Sequence, residues 1–318
     1  MELEDIVQEA KQEIESFRAK NPDGVVVIRG ATATGKSKLS ILLSQYFDEE
    51  IISADSRQIF RYMNIGTDKV SDDVLKKIPH HQINIVNPDE MYTSGQRKND
   101  VYKIIPEILA RKKLPMIVGG TGLYIDTVYK NFSMPDIQPD MKLRDELFAK
   151  EDKEPGILHK ELTKLDPEEA MKLHPKSTRY IVRALEIFYK SGQTKTDTFI
   201  SQPPAWPLLM LGLRREKEDT NKRINARVRE MLKGGLIEEV QGLLKKGYDK
   251  NLQSMQGIGY KEVVDFLEGN CSYDEMEDRI LITTHQLAKK QRSWFRRYIA
   301  EGIQAPRENV TYKVWKIS

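Results

Sequence analysis

Val25-Val26-Val27-Ile28-Arg29-Gly30-Ala31-Thr32-Ala33-Thr34-Gly35-Lys36-Ser37 is an apolar, β-branched run that passes straight into a loop bounded by two glycines and closed by Lys-Ser. Residues 30–37 fit the pattern G-x-x-x-x-G-K-S/T, between an apolar strand and a helix-spaced stretch, the context that a phosphate-binding P-loop requires. The glycines let the backbone curl so that successive N–H groups point inward. The following helix adds partial positive charge, Lys36 adds a full one, and Ser37 offers a hydroxyl to Mg²⁺. Gly30, Ala31, Thr32, Ala33, Thr34, Gly35, Lys36 and Ser37 are therefore the expected oligophosphate cradle, with Ser37 as the metal ligand. The loop does not specify ATP, because diphosphate esters of any alcohol present the same oxygens.

Outward from this loop, further β-branched runs end in small or polar residues at 51–56 (IISADS), 81–86 (HQINIV) and 115–121 (PMIVGGT), and after a long gap comes an apolar run at 206–214 (WPLLMLGLR). They read as strands buried on both faces. Helix-spaced stretches at 36–46 and 95–112 lie between them, so the expected fold is α/β, a P-loop NTPase-like parallel sheet flanked by helices. The gap is polar and helical, punctuated by Pro135, Pro139, Pro155 and Pro175, which predicts an inserted helical subdomain rather than a loop. The expected organisation is an N-terminal helical extension at 1–20, a core formed by 21–133 and 202–318 with C-terminal helices, and the insertion at 134–201. Leu3, Ile6, Val7, Ala10, Ile14 and Phe17 fall on one face of the extension, a spacing for packing rather than chemistry.

The 318 residues are 39% hydrophobic and 31% charged, a composition that argues against a disordered or membrane-embedded chain. The acidic, amphipathic start lacks the cationic and apolar run of a secretory signal, so a cytoplasmic monomer is expected. A single cysteine, Cys271, excludes an internal disulfide and any zinc site needing two thiolates. The net charge of +3 is unevenly spread: residues 281–318 hold eight Lys or Arg against two Glu. Within that excess, Lys289, Lys290, Arg292, Arg296 and Arg297 surround Trp294 and Phe295, a pattern open to RNA stacking or to plain core packing.

Asp55 stands at the carboxyl end of the second expected strand, where open α/β sheets hold their ligands. By residue type alone it is a turn residue, a metal-associated carboxylate or a general base. Thr121 similarly reads as a helix N-cap and Arg144 as a solvated charge. Arg179 and Arg183, four apart, share a helix face that suits either phosphate binding or solvent.

With Asp55-Ser56-Arg57-Gln58 following the P-loop, the chain closely resembles the tRNA dimethylallyltransferases, also called tRNA isopentenyltransferases. The resemblance recurs in order at Ile65-Gly66-Thr67 with Lys69, His80-His81, Pro88 with Tyr92, and Gly119-Gly120-Thr121-Gly122-Leu123-Tyr124. It continues through Arg179 and Arg183 before Ala184-Leu185-Glu186, Met255-Gln256-Gly257-Ile258-Gly259-Tyr260, Gln286-Leu287-Ala288-Lys289 and Trp294-Phe295-Arg296. It spans residues 24–300.

The resemblance implies transfer of a dimethylallyl group from dimethylallyl diphosphate to N6 of adenine 37 in the anticodon stem-loop of tRNA, with Mg²⁺ as cofactor and diphosphate released. It implies Asp55, Thr32, Lys36 and Thr121 as catalytic residues. Asp55, Ser56, Arg57, Gln58, Thr121, Arg144, Arg179, Arg183, Gln256, Lys289, Arg292 and Arg296 become the expected tRNA contacts. Lys217 occupies a place where an Arg near the diphosphate is expected, so Lys217 and neighbouring Arg215 join the diphosphate set. Three rivals share parts of this pattern: an adenylate isopentenyltransferase acting on a free nucleotide, a P-loop kinase, and a non-enzymatic RNA adaptor.

Overall fold

The chain's fold comes from a computed structural model that describes residues 1–133, 137–304 and 309–317; the expected insertion boundary at 134 and Pro135 lie outside them. The helices and strands run α1 (Leu3–Lys20), β1 (Val25–Gly30), α2 (Lys36–Leu43), β2 (Glu49–Ser53), α3 (Asp72–Lys77), β3 (His80–His81), α4 (Ser94–Ala110), β4 (Leu114–Gly119) and α5 (Gly122–Tyr129). Five helices follow, α6 (Met141–Lys153), α7 (Ile157–Leu165), α8 (Pro167–Lys172), α9 (Thr178–Ser191) and α10 (Lys195–Thr198). Then come β5 (Leu208–Arg215), α11 (Lys217–Lys233), α12 (Leu236–Lys245), α13 (Tyr260–Leu267), α14 (Tyr273–Gln304) and β6 (Val310–Ile317).

The strands form one sheet in the order β3-β2-β4-β1-β5-β6, every pair parallel. This is the expected parallel α/β architecture, and the period of two along each strand explains its layering. Val26, Ile28, Met116, Leu209 and Leu211 face α1 and α2 in one buried cluster. Val25, Val27, Ile117 and Met210 face the opposite cluster with Val101, Ile105 and Tyr124 from α4 and α5. Each such side chain taken wholly from water contributes about 1.5–3 kcal/mol. The apolar face of α1, Leu3 through Phe17, is buried against the sheet.

Two strand expectations are corrected. The run 81–86 pairs with β2 only at His80 and His81, because Gln82 and Asn84 take positive φ values of 64° and 55° and turn the chain away. The sheet also has a sixth strand, unforeseen among the C-terminal helices, running alongside β5 from Leu208↔Val310 to Arg215↔Ile317.

Helices α6, α7, α8 and α9 pack around their own apolar cluster, which includes Leu147, Leu158, Leu162, Ile181 and Leu185. A further cluster joins α11–α14 to the segment after β2 through Met63, Ile224, Val228, Leu236 and Tyr260. Among the described residues no helix is long and apolar enough to cross a membrane.

Candidate active site

Because all strands run the same way, the loops after β1, β2 and β4 leave from one edge of the sheet, and these three strands are neighbours. Their loops line a cavity of about 490 Å³ together with residues of α11, the 256–260 segment and α14. Thr32, Ala33, Gly35, Lys36 and Ser37 form one wall, and Asp55, Ser56, Arg57, Gln58 and Thr121 form another. The β2 and β4 loops approach so closely that a Cβ on Gly119 would lie 2.2 Å from the Ala54 carbonyl oxygen. Only glycine permits that contact.

The P-loop curls through Ala33 at φ 62° and Gly35 at φ 98°, the alternation that turns backbone N–H groups toward one point. Thr34 Oγ1 donates to the Ala31 carbonyl at 2.8 Å, and Lys36 Nζ donates to the same oxygen at 2.7 Å. Burial, then the nearby Arg227 guanidinium, pushes Lys36 down from its ordinary 10.5 to about 8, against the opposing pull of Asp55 and Asp68.

Two cations reach the loop from α11. Arg227 Nη1 donates to Thr32 Oγ1 at 2.9 Å and pairs with Asp68 at 2.9 Å, while Arg223 Nε donates to the Ala33 carbonyl at 3.1 Å. Arg215 and Lys217, expected beside the diphosphate, do not line this cavity; Arg215 lines a second, smaller one with Ala31 and Thr34 of the P-loop. Arg215 pairs with Asp219 at 2.6 Å, and Lys217 is exposed at the start of α11. Gln291 of α14 clips two loops together: its Oε1 accepts from Thr32 N at 2.7 Å and its Nε2 donates to the Gly120 carbonyl at 3.0 Å.

Asp55 Oδ1 accepts from Arg57 N at 2.8 Å, a local turn that fixes the carboxylate at the mouth of β2. Thr121 sits at the N-cap of α5 without capping it through its side chain; its hydroxyl accepts from Ser56 N at 3.1 Å instead. Gln58 bridges Ser53 Oγ and the Thr67 and Asp68 carbonyls, and Arg57 Nη1 donates to the Gln253 carbonyl at 2.9 Å. Glu239 holds the adjoining wall by accepting from the backbone N–H groups of Asn64, Ile65 and Gly66 and from the Tyr260 hydroxyl. Gln256 also lines the cavity.

The other expected tRNA contacts are dispersed. Arg144 forms a two-pronged pair with Glu186 at 2.8 and 2.7 Å, and Arg183 pairs with the same carboxylate, which is fully buried. Both arginines thus brace the insertion. Arg179 is exposed and near enough to Arg57 for its charge to oppose that guanidinium. Lys289 is exposed on α14, whereas Arg292 and Arg296 line a second, smaller cavity. Phe295 is buried and Trp294 packs against the same core cluster, so packing, not RNA stacking, accounts for both aromatics.

A carboxylate thus faces a P-loop across one cavity, beside basic side chains. A sequence profile of the IPP transferase family matches residues 58–298. The chain belongs to the IPP transferase family. A tRNA dimethylallyltransferase of Pelotomaculum thermopropionicum is 42% identical over 276 residues, covering 86% of this chain and 88% of that protein. The full-length tRNA isopentenylpyrophosphate transferase of Bacillus halodurans superposes with a TM-score of 0.65 at 36% identity, over 92% of this chain and 90% of that one. A eukaryotic dimethylallyltransferase, captured in crystallographic snapshots acting on tRNA, gives a TM-score of 0.75 at 30% identity, over 92% of this chain and 73% of its own. For an IPP transferase, the groups missed by sequence reading are Arg223 and Arg227 on α11 and Gln291 on α14.

Proposed function

We propose that this chain transfers the dimethylallyl group of dimethylallyl diphosphate to the N6 amine of adenine 37, beside the anticodon of tRNA, and releases diphosphate. The observation that carries the reading is the Asp55 carboxylate opposite the P-loop cations in a single cavity. A kinase also places a carboxylate beside its phosphates, so the choice between the two rests on family membership; for the exocyclic amine, a poor nucleophile, Asp55 is the base it needs. Family membership and the tRNA-acting structural relative support the same substrate.

In this reading the extruded adenine enters between Asp55 and Thr121, as base-modifying enzymes require of a stacked base. Asp55 accepts a hydrogen bond from the amine. As N6 bonds to the allylic carbon, the carbon–oxygen bond breaks, its electron pair leaves on the diphosphate, and one amine proton passes to Asp55. Lys36, Arg223 and Arg227 offset the charge that builds on the leaving group, and the Thr32 hydroxyl, already accepting from Arg227, is left to donate its proton inward. Ser56, Arg57, Gln58 and Gln256 hold the base and its neighbours, and Arg179 and Lys289 meet the tRNA backbone outside.

The residues present fit Mg²⁺. Ser37 directly follows Lys36 and lines the cavity, and no cluster of three His, Cys, Asp or Glu among the described residues could hold a metal unaided. That donor set suits an ion held by one hydroxyl, the donor's phosphate oxygens and water. When bound, the ion supplies further charge neutralisation to the departing diphosphate. We further propose that the chain acts as a monomer in the cytoplasm.

The test is to incubate the protein with Mg²⁺, dimethylallyl diphosphate labelled in its allyl group, and either unmodified tRNA or AMP. Label in tRNA is the expected result. Label entering AMP but not tRNA, or phosphate transfer from ATP in its place, overturns the reading.

A further inference from the structure

The segment between β2 and α3 touches both sides of the main cavity, and a carboxylate that takes no part in the transfer anchors it. Glu239 of α12 is half-buried. Its Oε2 accepts from Asn64 N and Ile65 N, each at 2.8 Å, and its Oε1 accepts from Gly66 N at 3.2 Å and from the Tyr260 hydroxyl at 2.6 Å. Successive backbone N–H groups turned toward one anion form a fixed cradle of partial positive charge, and every partner here is neutral.

The dock has little slack. Tyr260 is 1% exposed at the start of α13, and a Cβ on Gly66 would lie 2.5 Å from its ring. The backbone at Gly66 therefore rests directly on that ring. Lys69 closes the same turn by donating to the side-chain oxygens of Asn64 at 3.1 Å and Asn84 at 2.6 Å.

Two lines of contact lead from this dock to the reacting groups. On the donor side, Asp68 pairs with Arg227 at 2.9 Å, and Arg227 Nη1 donates to Thr32 Oγ1 at 2.9 Å. On the acceptor side, the Thr67 and Asp68 carbonyls accept from Gln58 Nε2 at 3.3 and 3.2 Å. Gln58 Oε1 accepts from Ser53 Oγ at 3.0 Å, and that hydroxyl accepts from Asp55 N at 3.3 Å. Gly66, Thr67 and Asp68 line the cavity, whereas Glu239 stands behind them.

We infer that Glu239 is a positioning residue for the transfer reaction: by docking residues 64–69 it sets the donor wall, through Asp68 and Arg227, against the acceptor wall, through Gln58, Ser53 and Asp55. The inference rests on the proposed function for its reaction. Its geometry stands on the contacts alone. A carboxylate is required, because glutamine offers one acceptor oxygen and turns an amide N–H toward a backbone N–H. When the segment slips, the P-loop, α11 and β2 still bind their ligands, but base and leaving group lose alignment, a loss that falls on the chemical step.

The test compares full-length variants at pH 7 in the tRNA labelling assay. Glu239→Gln should lower kcat by about tenfold or more, while KM for either substrate changes by about twofold or less. Tyr260→Phe removes one of the hydrogen bonds, keeps the ring under Gly66, and should lose less. Val240→Ala is the stability control: it thins the buried cluster beside Glu239 and leaves these hydrogen bonds in place. It should lower the melting temperature and keep kcat within about twofold of wild type. A Glu239→Gln kcat within about twofold of wild type overturns the inference, as does a Val240→Ala loss as large as that of Glu239→Gln.

Diphosphate binding gives a reading that needs no turnover. Arg227 of α11 lowers the Lys36 value, whereas Asp55 and Asp68 raise it. With Asp68 drawn back, the pH midpoint of inorganic diphosphate affinity should fall below about 8 in Glu239→Gln and stay near it in Val240→Ala. An unmoved midpoint in Glu239→Gln overturns the inference while the function stands. Wild-type protein that labels no tRNA overturns the function, and the midpoint still decides whether Glu239 positions the segment.

Discussion

Raising the pH from 7 to 9 should loosen the donor's diphosphate through Lys36. The lysine's value in the folded chain is about 8, against an ordinary 10.5, because burial and Arg227 disfavour its charge. The unfolded chain therefore holds the extra proton between those two values, so the penalty on the fold is full below pH 8 and fades as the pH climbs toward 10.5. Binding runs the other way: a diphosphate favours the charged lysine and must recover the missing proton. At pH 7 about ten-elevenths of the molecules carry the charge, and at pH 9 about one-eleventh, so affinity should fall about tenfold, or about 1.4 kcal/mol. Calorimetric titration with inorganic diphosphate across this range measures the slope, and repeating it in buffers of different ionisation enthalpy should reveal proton uptake. Lys36→Met should bind weakly at every pH with the slope gone. An affinity that stays flat in wild type from pH 7 to 9, or a slope unchanged in Lys36→Met, refutes the reasoning.

Asp55→Ala should lower dimethylallyl transfer by about a hundredfold or more while tRNA binding by filter retention is kept, since the carboxylate serves proton transfer; equal losses in both would contradict its role. Arg227→Met removes the donor to Thr32 and the partner of Asp68, and should cost about a hundredfold in kcat. The same change should move the pH midpoint of diphosphate binding above 8, because Arg227 is one cause of the low Lys36 value. Glu186→Ala strands Arg144 and Arg183 and should destabilise the chain by about 3 kcal/mol in urea unfolding. Trp315→Ala, in the strand unforeseen from sequence, should cost about 3 kcal/mol in the same assay.

The P-loop and the parallel sheet were legible because strand, glycine loop and helix each carry local signals that agree. The buried face of α1 was legible for the same reason, a clean helical spacing from Leu3 to Phe17. Strand β6 was missed although Val310-Thr311-Tyr312-Lys313-Val314-Trp315-Lys316-Ile317 is rich in β-branched and aromatic residues; its lysines, on a partly exposed edge strand, masked the signal. The segment 81–86 misled in the opposite sense, since its apolar alternation is overridden by the backbone turns at Gln82 and Asn84.

At the site, Lys36 was legible from the P-loop pattern, Asp55 was left open by its place after a strand and settled on by resemblance, and Thr121, which reads as a helix N-cap, was singled out by resemblance alone. Arg223 and Arg227 could not be told from a solvated i, i+4 face by charge alone. A usable clue was their position: α11 begins directly after β5, so its early turns stay near the sheet edge that holds the ligand. Arg144 and Arg183 were singled out by resemblance, whereas the fold gives them a buried carboxylate to brace.

The most direct test of the central claim is nucleoside mapping. Unmodified tRNA treated with the protein, Mg²⁺ and dimethylallyl diphosphate is digested and examined by mass spectrometry. The account predicts one adenosine, beside the anticodon, carrying a dimethylallyl group on N6, and none when Asp55→Ala replaces wild type. Unaltered tRNA after prolonged incubation with folded wild-type protein, or alkylation found only on free AMP, would contradict it.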